Sequence, residues 1–406
     1  MEKPVAAIEL CSKSVKIVIG YVLDGKVHIL YTLTKEVGPI IDRGNIIDPS
    51  ALLSALESFL VIDDSSAKLK INISDAIIAI PPYGVEVYQT KPVVTIIADD
   101  GRVSEFDIRN VYTLVRKASL PPNAQLVDII PASFVLDQGR TYAYPPIGQP
   151  STSLQIFTRL HTLPSRIYND YRDAVENAGI TVKRTIVSSS AAVELLASYG
   201  DEFPSDYFLV DIGSDMTTVS LVGYKQLFCS RFFSWGGDDI TRDIMEQFDT
   251  NASEAEKIKM LYGLDNRKLT FDPAVSTNEE GAVHAKHTVS ELNAIITKQL
   301  DTFSKELNNS LSSLLESYQN NEKYKTLPMI LIGGGSNLYG LKDYLLPKVS
   351  NSDIIIATPK SLGARNSSYF NCLGMILMNH KYPNSYDDNN KKVTDLSRDP
   401  KTEERK

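Results

Sequence analysis

The chain has 406 residues, of which 43% are hydrophobic and 23% charged, and its formal net charge is −8 at pH 7. This length exceeds what one hydrophobic core usually organises, so we expect an ordinary globular protein with at least two domains. The negative charge argues against nucleic acid as a partner, because clustered lysines and arginines bind phosphate backbones.

The N-terminal segment "MEKPVAAIELCSKSVKIVIG" alternates short apolar runs with charges, which predicts strands rather than a signal peptide. No stretch approaches the roughly 18 consecutive apolar residues that a spanning helix needs, so we expect a cytoplasmic protein. Cys11, Cys229 and Cys372 are too scattered for a zinc site or a disulfide framework. His284 and His287 could start a metal site, but a solvated loop is the favoured interpretation of "HAKH".

The first predicted helix follows Asp48, Pro49 and Ser50, a sequence typical of a helix start. The buried strand "ISDAIIAIPP" then ends at two prolines, which indicates a domain boundary near Pro81. Short alternating strands and one helix opened by Ser104 follow as far as Leu163. This pattern predicts a small inserted α+β subdomain.

An internal repeat organises the rest of the chain. "AAIELCSKSVKIVIGYVLDGKV" and "YFLVDIGSDMTTVSLVGYKQL" share an apolar strand, one acid, small residues and a β-branched return strand, so that Glu9 aligns with Asp211. Two similar lobes that face each other are implied. The predicted domains are a first-lobe core at 1–81, completed by 164–200 and about 355–380, an inserted subdomain at 82–163, a second-lobe core at 201–235 and 294–354, its small subdomain at 236–293, and a disordered tail at 381–406.

A long helix is predicted through "ELNAIITKQLDTFSKELNNSLSSLLESY", whose apolar residues form one stripe. Packing against its own sheet is the favoured role of this stripe, and an interaction face is the alternative. The polar segment from Asn379 to Lys406 has no apolar stripe, which predicts disorder.

Three turns that follow strands could bind a nucleotide. Gly213 and Ser214 follow Asp211, and a turn of small residues exposes backbone N–H groups to phosphate oxygens, while the acid could hold hydrated Mg²⁺. The turn at 333–336 is "GGGS", whose missing Cβ atoms would let the backbone approach a base or sugar.

Two further motifs support this interpretation. Gly236 and Gly237 precede a helix, and Glu256 and Lys259 lie three residues apart on another helix. The charged pair could bind the amino edge and ribose of a purine nucleoside. A simple surface salt bridge is the alternative.

The order of these motifs is that of the actin-like ATPase superfamily, and the chain resembles the FtsA family of bacterial cell-division proteins over roughly residues 4–380. The segments that carry the resemblance are "VGPIIDRGNIIDPSAL", "LVDIIPASFVLDQ", "GGDDITRDI", "SEAEKIKMLYG", "LIGGGSNLYGL" and "NSSYFNCLGMIL". The resemblance implies an α/β, actin-like fold of two ribonuclease-H-like lobes with a small α+β insert subdomain in the first lobe.

The resemblance also implies ATP and Mg²⁺ in the cleft between the lobes. The metal residues would be Glu9 and Asp211. The nucleotide contacts would be Ser12, Lys13, Gly213, Ser214, Gly236, Gly237, Glu256, Lys259, Gly334, Gly335 and Ser336. No catalytic base is apparent.

The implied partners are those of a division protein at the cytoplasmic face of the membrane. Family members self-associate into filaments, contact other division proteins and bind the C-terminal peptide of FtsZ, here through about 236–293. The family's amphipathic membrane helix has no counterpart in the polar tail, so membrane contact would be indirect or uncertain.

The chain departs from the family pattern at the phosphate turns. Cys11 replaces a glycine, Asp215 lies inside the second turn, and Thr218 stands where an acid is usual. A carboxylate about 5 Å from a triphosphate costs on the order of 3 kcal/mol per opposed charge at an effective dielectric constant of about 20. We therefore expect weak ATP binding and negligible hydrolysis, unless Asp215 turns away or itself binds the metal.

Other functions are also considered. A PilM-like adaptor of pilus assembly is the main alternative, since it would share the insert subdomain. A sugar kinase would need a framed catalytic base, and an Hsp70 chaperone would need a further substrate domain.

Overall fold

The computed structural model describes residues 3–64, 69–265, 271–275, 287–316, 326–349 and 353–382. The predictions for His284 and for almost all of the tail fall outside these residues. The chain forms two compact units, of which the first comprises Met1–Gln89, Ser119–Ile130 and Arg159–His380. The second comprises Thr90–Ala118, Pro131–Thr158 and the chain from Lys381 onward.

The strands β1 to β19 follow one another in three larger sheets and two small hairpins. Their bounds are β1 Val5–Leu10, β2 Ser14–Leu23, β3 Lys26–Glu36, β4 Ile41–Asp42, β5 Asn45–Ile46, β6 Val61–Asp64, β7 Leu69–Asn72, β8 Asp75–Ile80, β9 Glu86–Thr90, β10 Val93–Thr95, β11 Ala124–Leu136, β12 Thr141–Tyr142, β13 Ser153–Pro164, β14 Thr181–Val187, β15 Tyr207–Ile212, β16 Thr217–Gly223, β17 Gln226–Phe233, β18 Met329–Ile332 and β19 Ile354–Ile356.

The described residues also form the helices α1 to α9, of which α5, α6 and α7 follow one another between β17 and β18. Their bounds are α1 Pro49–Glu57, α2 Glu105–Arg116, α3 Ser165–Asn177, α4 Ser188–Ser198, α5 Gly237–Phe248, α6 Ala252–Tyr262, α7 Val289–Glu316, α8 Leu341–Leu345 and α9 Phe370–Lys381. No helix among the described residues is both long enough and apolar enough to cross a membrane.

The first unit contains two sheets with the same topology. One has the order β3-β2-β1-β8-β14 and the other the order β17-β16-β15-β18-β19. In each sheet the first three strands are antiparallel and the last two run parallel to the third. Glu9 in β1 and Asp211 in β15 occupy equivalent strands, so the internal repeat found in the sequence is a repeat of structure.

The helix starts follow the capping signals in the sequence. The Asp48 side chain accepts from the amide of Ala51 at the start of α1, where Pro49 is the first helical residue. Ser104 and Asp107 form a reciprocal capping box at the start of α2. Helix α3 ends just before Gly179, whose φ is +83°. A residue with a Cβ would adopt this φ only with strain.

Helix α7 buries its apolar stripe in the core of the second β-sheet. The buried residues of the predicted stripe are Ile296, Leu300, Phe303, Leu307, Leu311 and Leu314. Trp235 packs on Phe303 with ring centroids 4.4 Å apart, and α7 contacts β16 and β17. The stripe therefore packs against its own sheet, as the sequence favoured.

The second unit is a smaller α/β assembly. Strand β10 pairs with β13 and β11 pairs with β12, both antiparallel. Helix α2 packs against β10 and buries Ile108, Val111 and Val115. The predicted limits of an insert at 82–163 remain a prediction.

Helix α9 fits against α4 only because residue 374 is glycine. A Cβ at Gly374 would lie 1.9 Å from the carbonyl oxygen of Ala191 in α4, far inside van der Waals contact. Since this helix also carries Asn371, the close approach fixes where that side chain reaches the cleft.

We predict that Gly374→Ala lowers the free energy of unfolding by about 1–3 kcal/mol, because the two helices must separate. Urea unfolding at neutral pH measures the change. Gly334→Ala is the matched control, since a Cβ there meets nothing within 4 Å, and it should shift stability by less than about 0.5 kcal/mol. Equal effects of the two substitutions would contradict the packing argument.

Candidate functional site

The turns of the two equivalent hairpins open into one cleft of about 1050 Å³, a size typical of large ligand sites. Most of the residues predicted to bind nucleotide or metal line this cleft: Glu9, Ser12, Lys13, Asp211, Gly213, Ser214, Gly237, Glu256, Lys259, Gly334 and Gly335. Gly236 and Ser336 are not among its lining residues.

The two predicted metal acids converge through a third side chain, Asn371 of α9. Its Nδ2 donates to Glu9 Oε1 at 2.6 Å and to Asp211 Oδ2 at 3.2 Å. Glu9 lies near the end of β1 and Asp211 near the end of β15, so one amide joins both hairpins. The sequence analysis did not identify Asn371, because residue 371 is 362 positions from Glu9 and no periodic pattern reports such a contact.

Lys16 supplies positive charge beside these carboxylates. It pairs with Glu9 across β1 and β2, with its Nζ 3.5 Å from Glu9 Oε2, and it donates to the carbonyl of Ser368 at 2.9 Å. Burial disfavours the charged form of Lys16, but the nearby carboxylates of Glu9 and Asp211 oppose this effect, and the pKa of Lys16 is raised. Lys16 was also missed, although its position opposite Glu9 in a hairpin was a usable signal.

The carboxylates have the character expected of ligands for a hard cation. Burial and the nearby charge of Glu9 raise the pKa of Asp211 to about 6. Asn371 Oδ1 is buried and has no hydrogen-bond partner within the described part of the chain. Mg²⁺ usually takes one or two carboxylates and keeps several waters, and these groups fit that requirement. The described residues contain no cluster of three or more His, Cys, Asp or Glu side chains suited to a metal.

The first turn is held from behind by its own chain. The Cys11 amide donates to the carbonyl of Ser14 at 2.9 Å, and the carbonyls of Ser12 and Lys13 accept from amides of the segment 37–41. Burial raises the pKa of the Cys11 thiol to about 12. Cys11 is therefore a neutral lining residue, not a reactive thiolate.

The second turn is braced by the start of α5. The amides of Gly237 and Asp238 donate to the carbonyls of Gly213 and Ser214 at 3.0 and 2.9 Å. A Cβ at Gly236 would lie 2.1 Å from the carbonyl oxygen of Ser214. Residue 236 must therefore be a glycine because the turn packs on it, and its role as a nucleotide contact stays a prediction.

Asp215, the acid inside the second turn, faces Lys13 of the first turn. Lys13 Nζ lies 3.7 Å from Asp215 Oδ1 and forms a closer ion pair with Asp238 Oδ2. Burial raises the pKa of Asp215 to about 6, and the neighbouring carboxylate of Asp238 adds to the rise that Lys13 opposes. Thr218, by contrast, is buried and lines the cleft.

Glu256 and Lys259 form the salt bridge that the sequence left as an alternative, with Lys259 buried and Glu256 half-exposed. Lys259 Nζ lies 2.6 Å from Glu256 Oε2, 3.0 Å from the carbonyl oxygen of Gly237 and 2.9 Å from Thr241 Oγ1. A lysine ammonium has three N–H donors, so these contacts occupy it fully. Lys259 ties α6 to the start of α5, whereas the Glu256 side chain is 46% exposed in the cleft.

The glycine turn after β18 has one open position. A Cβ at Gly333 would lie 2.4 Å from Asp211 Oδ1, and one at Gly335 would lie 2.3 Å from Ile212 Cγ2, but one at Gly334 meets nothing within 4 Å. The buried hydroxyl of Ser336 donates to the carbonyl of Gly333 at 2.8 Å. Ser336 therefore holds the turn, and only Gly334 offers open backbone to a ligand.

We predict that Asp211→Asn stabilises the protein at pH 7.5 by on the order of 2 kcal/mol when no divalent cation is present. The folded-state pKa of Asp211, about 6, exceeds the ordinary value of 3.8, so its charged form disfavours folding. The difference in unfolding free energy between the variant and the wild-type protein should shrink as the pH falls through 6 towards 4. Urea unfolding at pH 7.5 and 5.0 measures it, and destabilisation by Asp211→Asn at both pH values would contradict the account.

Similarities to known proteins agree with this architecture. The family model described as "Cell division protein FtsA" matches residues 208–374. The cell division protein FtsA of Enterococcus hirae is 25% identical over 377 residues, which cover 91% of this chain and 81% of the relative. The FtsA of Bacillus subtilis strain 168 is 22% identical over 381 residues, with coverage of 91% and 82%.

Two solved structures share the fold. A PilM–PilN type IV pilus biogenesis complex contains a chain that superposes with a TM-score of 0.59 at 17% identity, covering 93% of this chain and 98% of that one. MreB5 of Spiroplasma citri bound to ADP superposes with a TM-score of 0.52 at 13% identity, covering 95% and 99%. The fold is thus actin-like, and over about nine-tenths of its length the chain is similar in sequence to FtsA cell-division proteins.

Proposed function

We propose that the chain is an ATP-binding, actin-like assembly factor of bacterial cell division, which links the FtsZ ring to the membrane or to other division proteins. The observation that carries this proposal is the convergence of Glu9 and Asp211 on Asn371. Ligands that bring a cation and phosphates to this point would bind residues from both hairpins at once. Such a ligand would stabilise the closed arrangement that self-association into filaments at the cytoplasmic face of the membrane requires.

Different residues of the cleft would contact different parts of the proposed nucleotide. Glu9 and Asp211 would hold Mg²⁺, which supplies the positive charge that offsets the phosphates when it is bound. Ser12 and Ser214 lie in the two turns and would face the phosphates. The open backbone at Gly334 and the half-exposed Glu256 would face the base and sugar.

Hydrolysis is proposed to be negligible. Thr218 lines the cleft where the family pattern has an acid, and a hydroxyl does not accept a proton at neutral pH as a carboxylate does. A protein that uses nucleotide to lock an assembly would not need turnover.

The pilus-assembly alternative has less support. The PilM–PilN structure resembles this chain at 17% identity, a likeness of fold, and fold alone does not assign function. The relatives with matching sequences are cell-division proteins.

We predict weak ATP binding without measurable steady phosphate release. Isothermal titration with ATP and Mg²⁺ should give a dissociation constant in the micromolar range or weaker. Gly334→Ala should weaken binding about tenfold or more, because its new methyl group occupies the ligand's approach, while thermal unfolding stays unchanged. Submicromolar affinity with continuous phosphate release would contradict the proposal.

We also predict recovery of FtsZ from a lysate of the bacterium that encodes the chain. Leu261 in α6 is 65% exposed within the segment 236–293 proposed to bind the FtsZ peptide, so Leu261→Glu should reduce recovery several-fold. Leu362→Glu is the matched control, since Leu362 is 75% exposed outside that segment. Recovery of a pilus protein instead of FtsZ would favour the alternative.

A further inference from the structure

Lys13 connects the turn of the first hairpin to two acids of the second lobe. Its ammonium lies 3.7 Å from Asp215 Oδ1 and in closer contact with Asp238 Oδ2. Asp215 belongs to the turn between β15 and β16, and Asp238 to the first turn of α5. The ion pairs therefore span the phosphate end of the cleft. We name these three side chains the turn latch.

The latch carries more negative than positive charge. One ammonium faces two carboxylates, whose side chains are 30% and 20% exposed, while that of Lys13 is 37% exposed. Asp239 adds negative charge near Asp215, and Arg242 adds positive charge near Lys13. A further anion at the latch would meet either two carboxylates directly or a lysine that is already paired.

Stability does not explain this arrangement. Ion pairs that are about one-third exposed contribute little to folding, and a carboxylate in a turn next to Asp238 carries a repulsive cost. Lys13 and Asp238 line the cleft, and Asp215 lies in the turn whose Gly213 and Ser214 line it. The position of the latch therefore points to what the cleft admits.

We propose that the turn latch makes the cleft select a nucleoside diphosphate over a nucleoside triphosphate. The inference rests on the proposed nucleotide-binding function, in which the base and sugar lie beside Gly334 and Glu256 and the phosphates extend to the turns. The terminal phosphate of a triphosphate is then the group closest to Asp215 and Asp238. A diphosphate would end earlier and would keep its charge near Lys16 and the cation that Glu9 and Asp211 would hold. Asp215 and Asp238 thus act as specificity determinants.

The test is calorimetric titration with ADP and with ATP, each in excess Mg²⁺. Wild-type protein should bind ADP about tenfold or more tightly than ATP. Asp215→Asn should reduce the ratio of the ATP to the ADP dissociation constant about tenfold by improving ATP binding. The substitution removes one charge that opposes the phosphates and keeps the shape of the side chain. Lys13→Gln should widen the ratio, since it leaves both carboxylates uncompensated. Asp243→Asn is the matched control: Asp243 also lies in α5, but it pairs with Lys298 at 3.0 Å and not with Lys13, so the ratio should not change.

The outcomes separate this inference from the proposed function. A wild-type preference for ATP, or a ratio unchanged by Asp215→Asn, overturns the inference and leaves nucleotide binding intact. Absence of binding by either nucleotide in wild type and every variant removes the proposed function and the inference together. If Asp215→Asn lowers the thermal unfolding midpoint, Asp238→Asn is measured in the same way, and an unchanged ratio there counts against the inference.

Discussion

Two carboxylates from different hairpins share one amide at the centre of this protein. Glu9 and Asp211 repel each other in a buried setting, which raises the pKa of Asp211, and Asn371 and Lys16 compensate part of that repulsion. The constraint reaches far along the chain: β1 and β15 must end at the same place, and α9 must pack against α4 through Gly374 so that Asn371 reaches both acids. A bound cation would relieve the remaining repulsion, so the site is built in a way that favours occupancy.

The repeated topology could be predicted because it leaves local traces. Each hairpin alternates apolar residues around one acid, the starts of α1 and α2 carry their capping residues, and the stripe of α7 repeats at helical spacing. The helix signals depend on neighbours within about seven residues, which a single sequence displays directly. The similarity of the two hairpin segments then suffices to find two similar lobes and to place Glu9 and Asp211 in equivalent positions.

Contacts between distant residues could not be predicted in the same way. Asn371 lies in an apolar helix with no local mark of its role, and the sequence around Gly236 does not show that Ser214 packs against it. The salt bridge between Lys259 and Glu256 was the alternative to the predicted nucleotide contact, but the burial of Lys259 and its contacts with Gly237 and Thr241 depend on how α5 and α6 meet. A glycine or a charge in a sequence reveals a need for space or compensation without revealing which group imposes it.

Asp215 illustrates both sides of this lesson. The sequence indicated that a carboxylate in a phosphate turn is unfavourable. The structure agrees in direction, since burial and Asp238 raise the pKa of Asp215 and so disfavour its charged form. What the sequence did not reveal is the compensating ammonium of Lys13 in the opposite turn. Asp215 is thus part of a contact between the two turns. In the proposal above, it contributes to the selectivity of the nucleotide site and does not simply impair that site.

The most direct test of the central claim is a crystal structure of the chain soaked with ADP and Mg²⁺. The account predicts phosphate density between the two turns and a cation beside the carboxylates of Glu9 and Asp211. A cleft that remains closed by side chains at millimolar ligand, with no density between the hairpins, would contradict it even if the actin-like topology were found as described.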